Sequence, residues 1–155
     1  MAMEHKSFWQ MEKAPVFTPL WGDLQVNTVI VGAGLCGLLC AYLLHLKGVR
    51  DIVIIDANEV CSGVTAHTTA KITSQHGLIY GKLIQGLGEE GAAQYACANQ
   101  NAIKLYWQII SSEQIDCDFT PCNAWVYTTL EEKLQDIQDE VQAAQKLGIS
   151  ATYET

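Results

Sequence analysis

The sequence predicts an α/β fold built on one parallel strand–helix–strand unit. Val26–Val31 is a β-branched run typical of a strand, and Leu35–Lys47 is an apolar helical run that ends at Gly48. Asp51–Ile55 reads as a second strand that is apolar on both faces, which favours a parallel sheet covered on both sides. The short connections between these elements predict a right-handed βαβ unit.

Length and composition exclude several classes of protein. The chain has 155 residues, of which 49% are hydrophobic and 17% charged, so a disordered chain or a coiled coil is excluded. The formal net charge is −8, and residues 113–155 carry −7 of it through nine acidic residues and two lysines. The sequence has no cluster of Lys and Arg, so we expect neither a nucleic acid nor an anionic membrane as partner.

One apolar segment, Thr28–Leu46, is long enough for a membrane-spanning helix. Glycines at positions 32, 34 and 37 interrupt it, so a buried strand, turn and helix is the favoured interpretation. The first residues lack the apolar core of a signal peptide. The six cysteines form no CxxC pair and no zinc-type spacing with histidine, so we expect no metal, no disulfide framework and a cytoplasmic location.

Hydrophobic periodicity predicts further elements downstream of the βαβ unit. Helices are expected at 78–87 and 89–111, and a third helix is expected to be capped by Thr128 or Thr129 with a glutamate three residues later. The acid-rich run at 131–140 on that helix is interpreted as a solvated face. We also predict a strand or hairpin within 119–127 and the start of another strand at 151–153.

The motif that carries chemistry is the glycine turn between the first strand and the helix, Gly32-Ala33-Gly34-Leu35-Cys36-Gly37. The first glycine permits a tight turn, the second lets a pyrophosphate approach the backbone, and the third lets the helix pack closely on the strand. The free N–H groups of the helix N-terminus favour the phosphates. Asp56 ends the second strand 19 residues after Gly37, where an acid accepts hydrogen bonds from ribose hydroxyls and repels a 2′-phosphate. The alternative is a turn that merely needs glycines.

The sequence resembles the flavin-dependent oxidoreductases of the D-amino-acid oxidase superfamily. The resemblance is carried by TVIVGAGLCGLLCAYLL, VIIDA and SGVTAHTTAKITSQHG, and the last stretch is similar to the branch that often has a C-terminal Rieske iron–sulfur domain. It implies FAD as cofactor, on a Rossmann-like FAD-binding domain that is incomplete here and is followed by the start of an α+β substrate domain. We accordingly divide the chain into a lead-in at 1–25, an FAD-binding unit with its cofactor loop at 26–77, and a helical segment with part of the substrate domain at 78–155.

The resemblance also implies cofactor-binding roles for particular residues, and leaves the catalytic residues unassigned. The family's pyrophosphate turn corresponds to Gly32, Gly34, Leu35, Cys36 and Gly37, and its ribose-binding acid with the following residue corresponds to Asp56 and Ala57. Its turn over the cofactor phosphates corresponds to Ser62 and Gly63, and its stretch along the flavin ring corresponds to Thr69 and Lys71. Lys71 is either a cation against the flavin or a solvated loop lysine. Some relatives link FAD covalently to the histidine of a Gly-x-Thr-x-His pattern, and Gly63-Val64-Thr65-Ala66-His67 fits that spacing. A plain hydrogen-bonding or surface histidine is the favoured interpretation of His67.

The function implied is oxidation of a C–N bond in a small amine or amino acid by hydride transfer to FAD. A Rieske domain is an expected partner in a longer parent protein. Because the family's third strand of the flavin sheet and most of its substrate pocket are not in these residues, we expect a fragment that binds FAD poorly and exposes apolar surface. The alternatives are an NAD-binding dehydrogenase or reductase and a catalytically inactive nucleotide-binding remnant.

Overall fold

Strand β1 (Thr28–Val31), helix α1 (Leu35–Leu46) and strand β2 (Ile52–Ile55) form the βαβ unit that the sequence predicts. The structure is a computed structural model that describes residues 7–11 and 15–155. The two strands pair in parallel from Thr28 opposite Ile52 to Val31 opposite Ile55. The predicted parallel pairing is therefore confirmed, with each strand starting one or two residues later than expected.

Within the described residues, β1 is covered on one face and open on the other, whereas all four residues of β2 are partly buried. Helix α1 packs against both strands. Along β1 the side chains alternate, so that Ile30 is partly buried while Val29 and Val31 are 51% and 82% exposed. The expectation of a sheet covered on both sides therefore holds in part at β2, on which it was based. It fails at β1, whose second face is exposed because α1 is the single helix that flanks the strand pair within the described part of this unit.

The chain divides into two compact units, Met1–Lys71 and Ile72–Thr155. The second unit is built from helices α2 (Tyr80–Ser112) and α3 (Leu134–Lys146), which pack against each other around Tyr80, Ala96 and Ala144. Helix α2 is interrupted at Gly88, whose φ of +73° and ψ of 171° are not helical. The two helices predicted on either side of position 88 are confirmed by this break.

Three expectations for the second unit are wrong. Neither residues 119–127 nor residues 151–153 form a strand, because no neighbouring strand within the described residues pairs with them and β-propensity depends on such a partner. The predicted capping box is also absent. The Thr128 hydroxyl accepts a hydrogen bond from the Leu130 N–H at 3.1 Å, a 3-10 turn follows at Glu131–Lys133, and α3 starts only after it.

The lead-in at 1–25 contains a 3-10 turn, Phe8–Met11, where irregular structure was expected. Part of this region, residues 1–6 and 12–14, lies outside the described residues, as does most of the stretch on which the signal-peptide prediction depends. Within 7–11 and 15–155 none of the helices is both long enough and apolar enough to cross a membrane.

Candidate functional site

The glycine turn connects β1 to α1 at the carboxyl end of the strand pair. Gly32 has a φ of +107°, a conformation that residues with a Cβ rarely adopt, and its N–H donates to the Ile55 carbonyl at 2.7 Å. A Cβ on Gly37 would lie 1.9 Å from the Gly32 carbonyl oxygen and 3.4 Å from Ile30 Cγ2. Only glycine at position 37 therefore lets the first turn of α1 approach the end of β1 this closely.

The peptide groups of Ala33 are held by two segments that follow β2. Its N–H donates to Asp56 Oδ2 at 2.7 Å, and its carbonyl accepts the Cys61 N–H at 3.0 Å. Ala33 is buried, with 4% of its surface exposed. The turn is thus fixed by the end of β2 on its N–H side and by the following loop on its carbonyl side.

The Asp56 carboxylate is exposed and ionised at neutral pH. Besides Ala33, it accepts the Asn58 N–H on Oδ1 at 2.8 Å. The amide of Ala33 above all, with those of Asn58 and Ala57, lowers the pKa of Asp56 against a smaller opposing effect of desolvation. Each carboxylate oxygen has a second acceptor site, so the side chain retains the capacity to accept hydrogen bonds from hydroxyl groups.

The N-terminus of α1 is partly occupied by the loop that follows β2. Thr65 Oγ1 accepts the Leu35 N–H at 3.1 Å, and a Cβ on Gly34 would lie 3.3 Å from the same oxygen. The first four amides of a helix have no partner inside the helix. Within the described part of the chain those of Cys36 and Gly37 have none elsewhere either, so they remain available to an anion.

The loop after β2 carries the remaining predicted phosphate-side residues and His67. The Ser62 hydroxyl donates to the Glu59 carbonyl at 2.7 Å, so its proton already has an acceptor within its own turn. Gly63 precedes the 3-10 turn Val64–His67, and its carbonyl accepts a hydrogen bond from His67 Nδ1 at 2.7 Å. A ring nitrogen that faces a carbonyl must carry the proton, so the structure has His67 as a hydrogen-bonding residue of this loop.

Direct contacts join part of the predicted set. Asp56 and Thr65 touch the glycine turn, whereas Ala57, Thr69 and Lys71 are exposed and form no hydrogen bond to it in the described structure. Whether these side chains contact a cofactor stays a prediction. Within the described residues, no group of three or more His, Cys, Asp or Glu side chains is placed to hold a metal ion.

The sequence analysis did not predict two residues that contact the glycine turn, Thr65 and Cys61. Thr65 lies inside the Gly-x-Thr-x-His spacing that drew attention to His67, and a small hydroxyl residue there was a usable signal. Cys61 has a φ of +58° and contacts the Ala33 carbonyl twice, through its backbone N–H at 3.0 Å and through its thiol at 3.7 Å. No spacing rule in the sequence reveals this contact.

Glu140 is the third residue that was missed. The other acidic side chains of residues 131–140 are exposed, as a solvated face predicts, but Glu140 is buried. Its side chain is only 7% exposed. Oε1 accepts the N–H groups of Ile79 and Tyr80 at 2.7 Å each, and Oε2 accepts that of Gly81 at 3.0 Å. The signal was its spacing on α3, three residues after Ile137 and four before Ala144, which are both apolar and place Glu140 on the apolar face of the helix.

Comparison with known proteins gives a family and two kinds of relative. Residues 27–154 match the family described as FAD dependent oxidoreductase. The chain is 41% identical over 145 residues to the putative Rieske 2Fe-2S iron-sulfur protein YhfW of Bacillus subtilis, which covers 93% of this chain and 28% of that protein. It is 35% identical over 65 residues to mitochondrial dimethylglycine dehydrogenase of Mus musculus, covering 42% of this chain and 7% of the relative.

These matches confirm the resemblance predicted from the residues, including the branch that contains Rieske proteins. No solved structure matches the chain significantly. The chain spans little more than a quarter of the length of YhfW. The family model nevertheless covers most of the present sequence, from the start of β1 to the last residues. The chain therefore belongs to the FAD-dependent oxidoreductase family.

Proposed function

We propose that this chain binds the adenosine diphosphate end of FAD in a flavin oxidoreductase that oxidises a C–N bond of a small amine or amino acid. One observation carries the proposal. The glycine turn lies between the ionised Asp56 carboxylate and the unpartnered amides of Cys36 and Gly37. A single turn thereby offers an acceptor for ribose hydroxyls and donors for a pyrophosphate, which are the two needs of a dinucleotide.

The residues present fit this cofactor. Gly32 and Gly34 place no side chain at the start of α1, and a Cβ at position 37 would collide with the Gly32 carbonyl. The Asp56 charge disfavours a 2′-phosphate, so the site suits FAD or NAD rather than NADP. Membership of the family supports FAD in preference to NAD.

When bound, FAD supplies the acceptor for a hydride that leaves the carbon beside the amine nitrogen. The work of this chain is to bind and orient. Asp56 would hold the ribose, the amides of Cys36 and Gly37 would hold the pyrophosphate, and Thr69 and Lys71 are the residues that would contact the flavin ring. Both loop side chains are exposed and thus accessible to a ligand. The Lys71 ammonium would stabilise negative charge that develops on the ring.

The reaction class and the partner rest on the relatives. The similarity to mouse dimethylglycine dehydrogenase supports a tertiary amine or amino acid as substrate. The similarity to YhfW, a putative Rieske 2Fe-2S protein, supports a Rieske iron–sulfur domain as the partner that accepts electrons in a longer protein.

Nucleotide binding tests the first part of the proposal. We would titrate the 155-residue chain with FAD, ADP, NAD⁺ and NADP⁺ by calorimetry, with Gly37→Val as the control whose side chain would collide with the Gly32 carbonyl and displace the first turn of α1. ADP should bind the unmodified chain in preference to NADP⁺, FAD should bind it more weakly than it would bind a complete flavin domain, and Gly37→Val should bind none of these nucleotides. A chain that binds neither FAD nor ADP would contradict the proposal.

Substrate oxidation tests the second part and needs a longer protein that contains this chain. We would add dimethylglycine to the anaerobic flavoprotein and follow bleaching of the visible flavin band. The matched control is 3-methylbutanoate, which has carbon in place of the nitrogen. Bleaching by the amine alone supports C–N oxidation, and equal bleaching or none by either compound contradicts it.

A further inference from the structure

The end of the cofactor loop contains a strained bend that burial does not hold. Ala70 has a φ of +55°, and its N–H donates to Thr68 Oγ1 at 3.3 Å. Residues 68–71 are all exposed. A non-glycine residue in the left-handed region persists only where surrounding contacts fix it. A further contact is therefore needed to fix this bend.

Trp9 supplies that contact from the other end of the unit's sequence. Its indole Nε1–H donates to the Thr68 carbonyl at 2.9 Å, across a separation of 59 residues. The 3-10 turn Phe8–Met11 that carries Trp9 also packs against the 3-10 turn Val64–His67. The indole group is a donor only, so the hydrogen bond has one possible direction.

The Thr68 carbonyl is a sensitive point of the loop. It belongs to the peptide that leads into Thr69, and Thr68 itself ends the Val64–His67 turn in an extended conformation. Fixing this carbonyl fixes the orientation of that peptide plane, because a peptide bond is rigid. The direction in which Thr69 and Lys71 leave the loop depends on it.

We propose that Trp9 is a positioning residue for the flavin end of the cofactor. This rests on the proposed function, in which Thr69 and Lys71 lie along the flavin ring. The contacts that hold the other end of the site, from Asp56 and Thr65 to the glycine turn, do not include Trp9. Loss of the indole hydrogen bond should therefore affect binding of FAD and leave binding of ADP unchanged.

The variants Trp9→Phe and Trp9→Ala test the proposal in the 155-residue chain. The first removes the N–H and retains an aromatic ring, and the second removes both. Trp21→Phe is the matched control, since Trp21 is 87% exposed and forms no hydrogen bond within the described structure. Thermal melting of each variant reports whether the unit still folds.

Limited trypsin digestion reads the loop without any ligand. Cleavage after Lys71 should be about threefold to tenfold faster in Trp9→Phe, the range expected for one neutral hydrogen bond, and at least as fast in Trp9→Ala. Cleavage after the exposed Lys47 and Arg50 serves as the internal reference and should not change. Equal cleavage after Lys71 in Trp9→Phe and in the unmodified chain would overturn the proposal.

Ligand protection separates a positioning role from general loss of structure. The FAD concentration that half-protects Lys71 should rise about threefold to tenfold in Trp9→Phe, while the affinity for ADP measured by calorimetry stays the same. Equal weakening of FAD and ADP would overturn the proposal. An unmodified chain that binds neither nucleotide would instead overturn the proposed function, and the ligand-free cleavage rates would still decide whether Trp9 holds the loop.

Discussion

The N-termini of α1 and α2 solve the same physical problem in different ways. At α2 the amides of Ile79, Tyr80 and Gly81 all donate to the Glu140 carboxylate, which comes from α3. At α1 the loop supplies one neutral hydroxyl, that of Thr65, for one amide. Each N-terminus attracts negative charge. The N-terminus of α2 is closed by a carboxylate of the chain itself, whereas the N-terminus of α1 is left with free amides for an anion from outside.

The surroundings of the two N-termini agree with this difference. Tyr80, at the start of α2, is buried, and burial raises the pKa of its phenol group while its hydroxyl donates to the Ser74 carbonyl. At the start of α1, by contrast, Leu35 and Cys36 are exposed. The α2 N-terminus therefore stabilises the fold of its unit, whereas the α1 N-terminus is accessible to a ligand.

The largest effect is expected when the close approach of α1 to the end of β1 is blocked. In Gly37→Ala the new Cβ would lie 1.9 Å from the Gly32 carbonyl oxygen, which is backbone and cannot swing away. We expect ADP binding to fall beyond detection and the free energy of unfolding to drop by about 3 kcal/mol. Calorimetry measures the affinity for ADP, and urea denaturation measures the free energy of unfolding.

The control for this prediction is Gly86→Ala. No atom lies within 4 Å of a Cβ at position 86, and this glycine is in α2. Alanine there should leave the stability unchanged or slightly higher, because it favours the helix. Gly37→Ala protein that binds ADP normally would show that the turn is not the nucleotide site.

The closed N-terminus is tested by Glu140→Gln. Glutamine retains one oxygen but presents an NH₂ group to at least one of the three amides, so a buried donor loses its acceptor. We expect the free energy of unfolding to fall by about 2 kcal/mol, with little effect on ADP binding. Urea denaturation measures the change in the free energy of unfolding, and Glu132→Gln at an exposed position is the control. A change in ADP affinity as large as that in stability would break the distinction between the two N-termini.

The two units also differ in how far the sequence predicted them. In the first, the strands, α1 and the glycine turn depend on local patterns with their own physical causes, and Gly32 and Gly37 are required by the backbone itself. In the second, the break at Gly88 was equally local and was predicted. Residues 119–127 carry strand-like composition, but a strand needs a neighbour, which composition cannot supply.

Contacts over long sequence separations explain what was missed in the site. Glu140 meets Ile79 across 61 residues, and Trp9 meets Thr68 across 59. Neither pair leaves a spacing rule in the sequence, because the partner atoms are backbone groups that every residue has. The position of Glu140 on an apolar stripe indicated burial, but it did not indicate the partner.

The charge at the adenosine side gives an intermediate effect. Asp56→Asn keeps the shape of the side chain and removes the charge that accepts the Ala33 N–H, so we expect ADP affinity to fall about tenfold. Asp23→Asn is the control, since Asp23 is exposed and has no hydrogen bond within the described residues. Unchanged ADP affinity in Asp56→Asn would remove Asp56 from the site.

The same variant gives a pH test with a defined sign. The amides lower the pKa of Asp56 in the folded chain below its ordinary value of 3.8, so the ionised form stabilises the fold above pH 3.8. This contribution disappears as the pH falls through the lowered pKa. The difference in urea midpoint between the unmodified chain and Asp56→Asn should be largest at neutral pH and shrink towards pH 3. A difference that grows on acidification would contradict the hydrogen bond to Ala33.

The smallest effect is expected at the hydroxyl that partly occupies the open N-terminus. Thr65→Val keeps the branched shape and removes the acceptor of the Leu35 N–H, so the free energy of unfolding should fall by about 1 kcal/mol. Urea denaturation compares it with Thr18→Val, an exposed control in the same unit. If an added pyrophosphate stabilises Thr65→Val at least as much as the unmodified chain, the free amides bind the anion without the hydroxyl. If pyrophosphate stabilises neither chain, α1 has no anion site and the contrast with α2 does not hold.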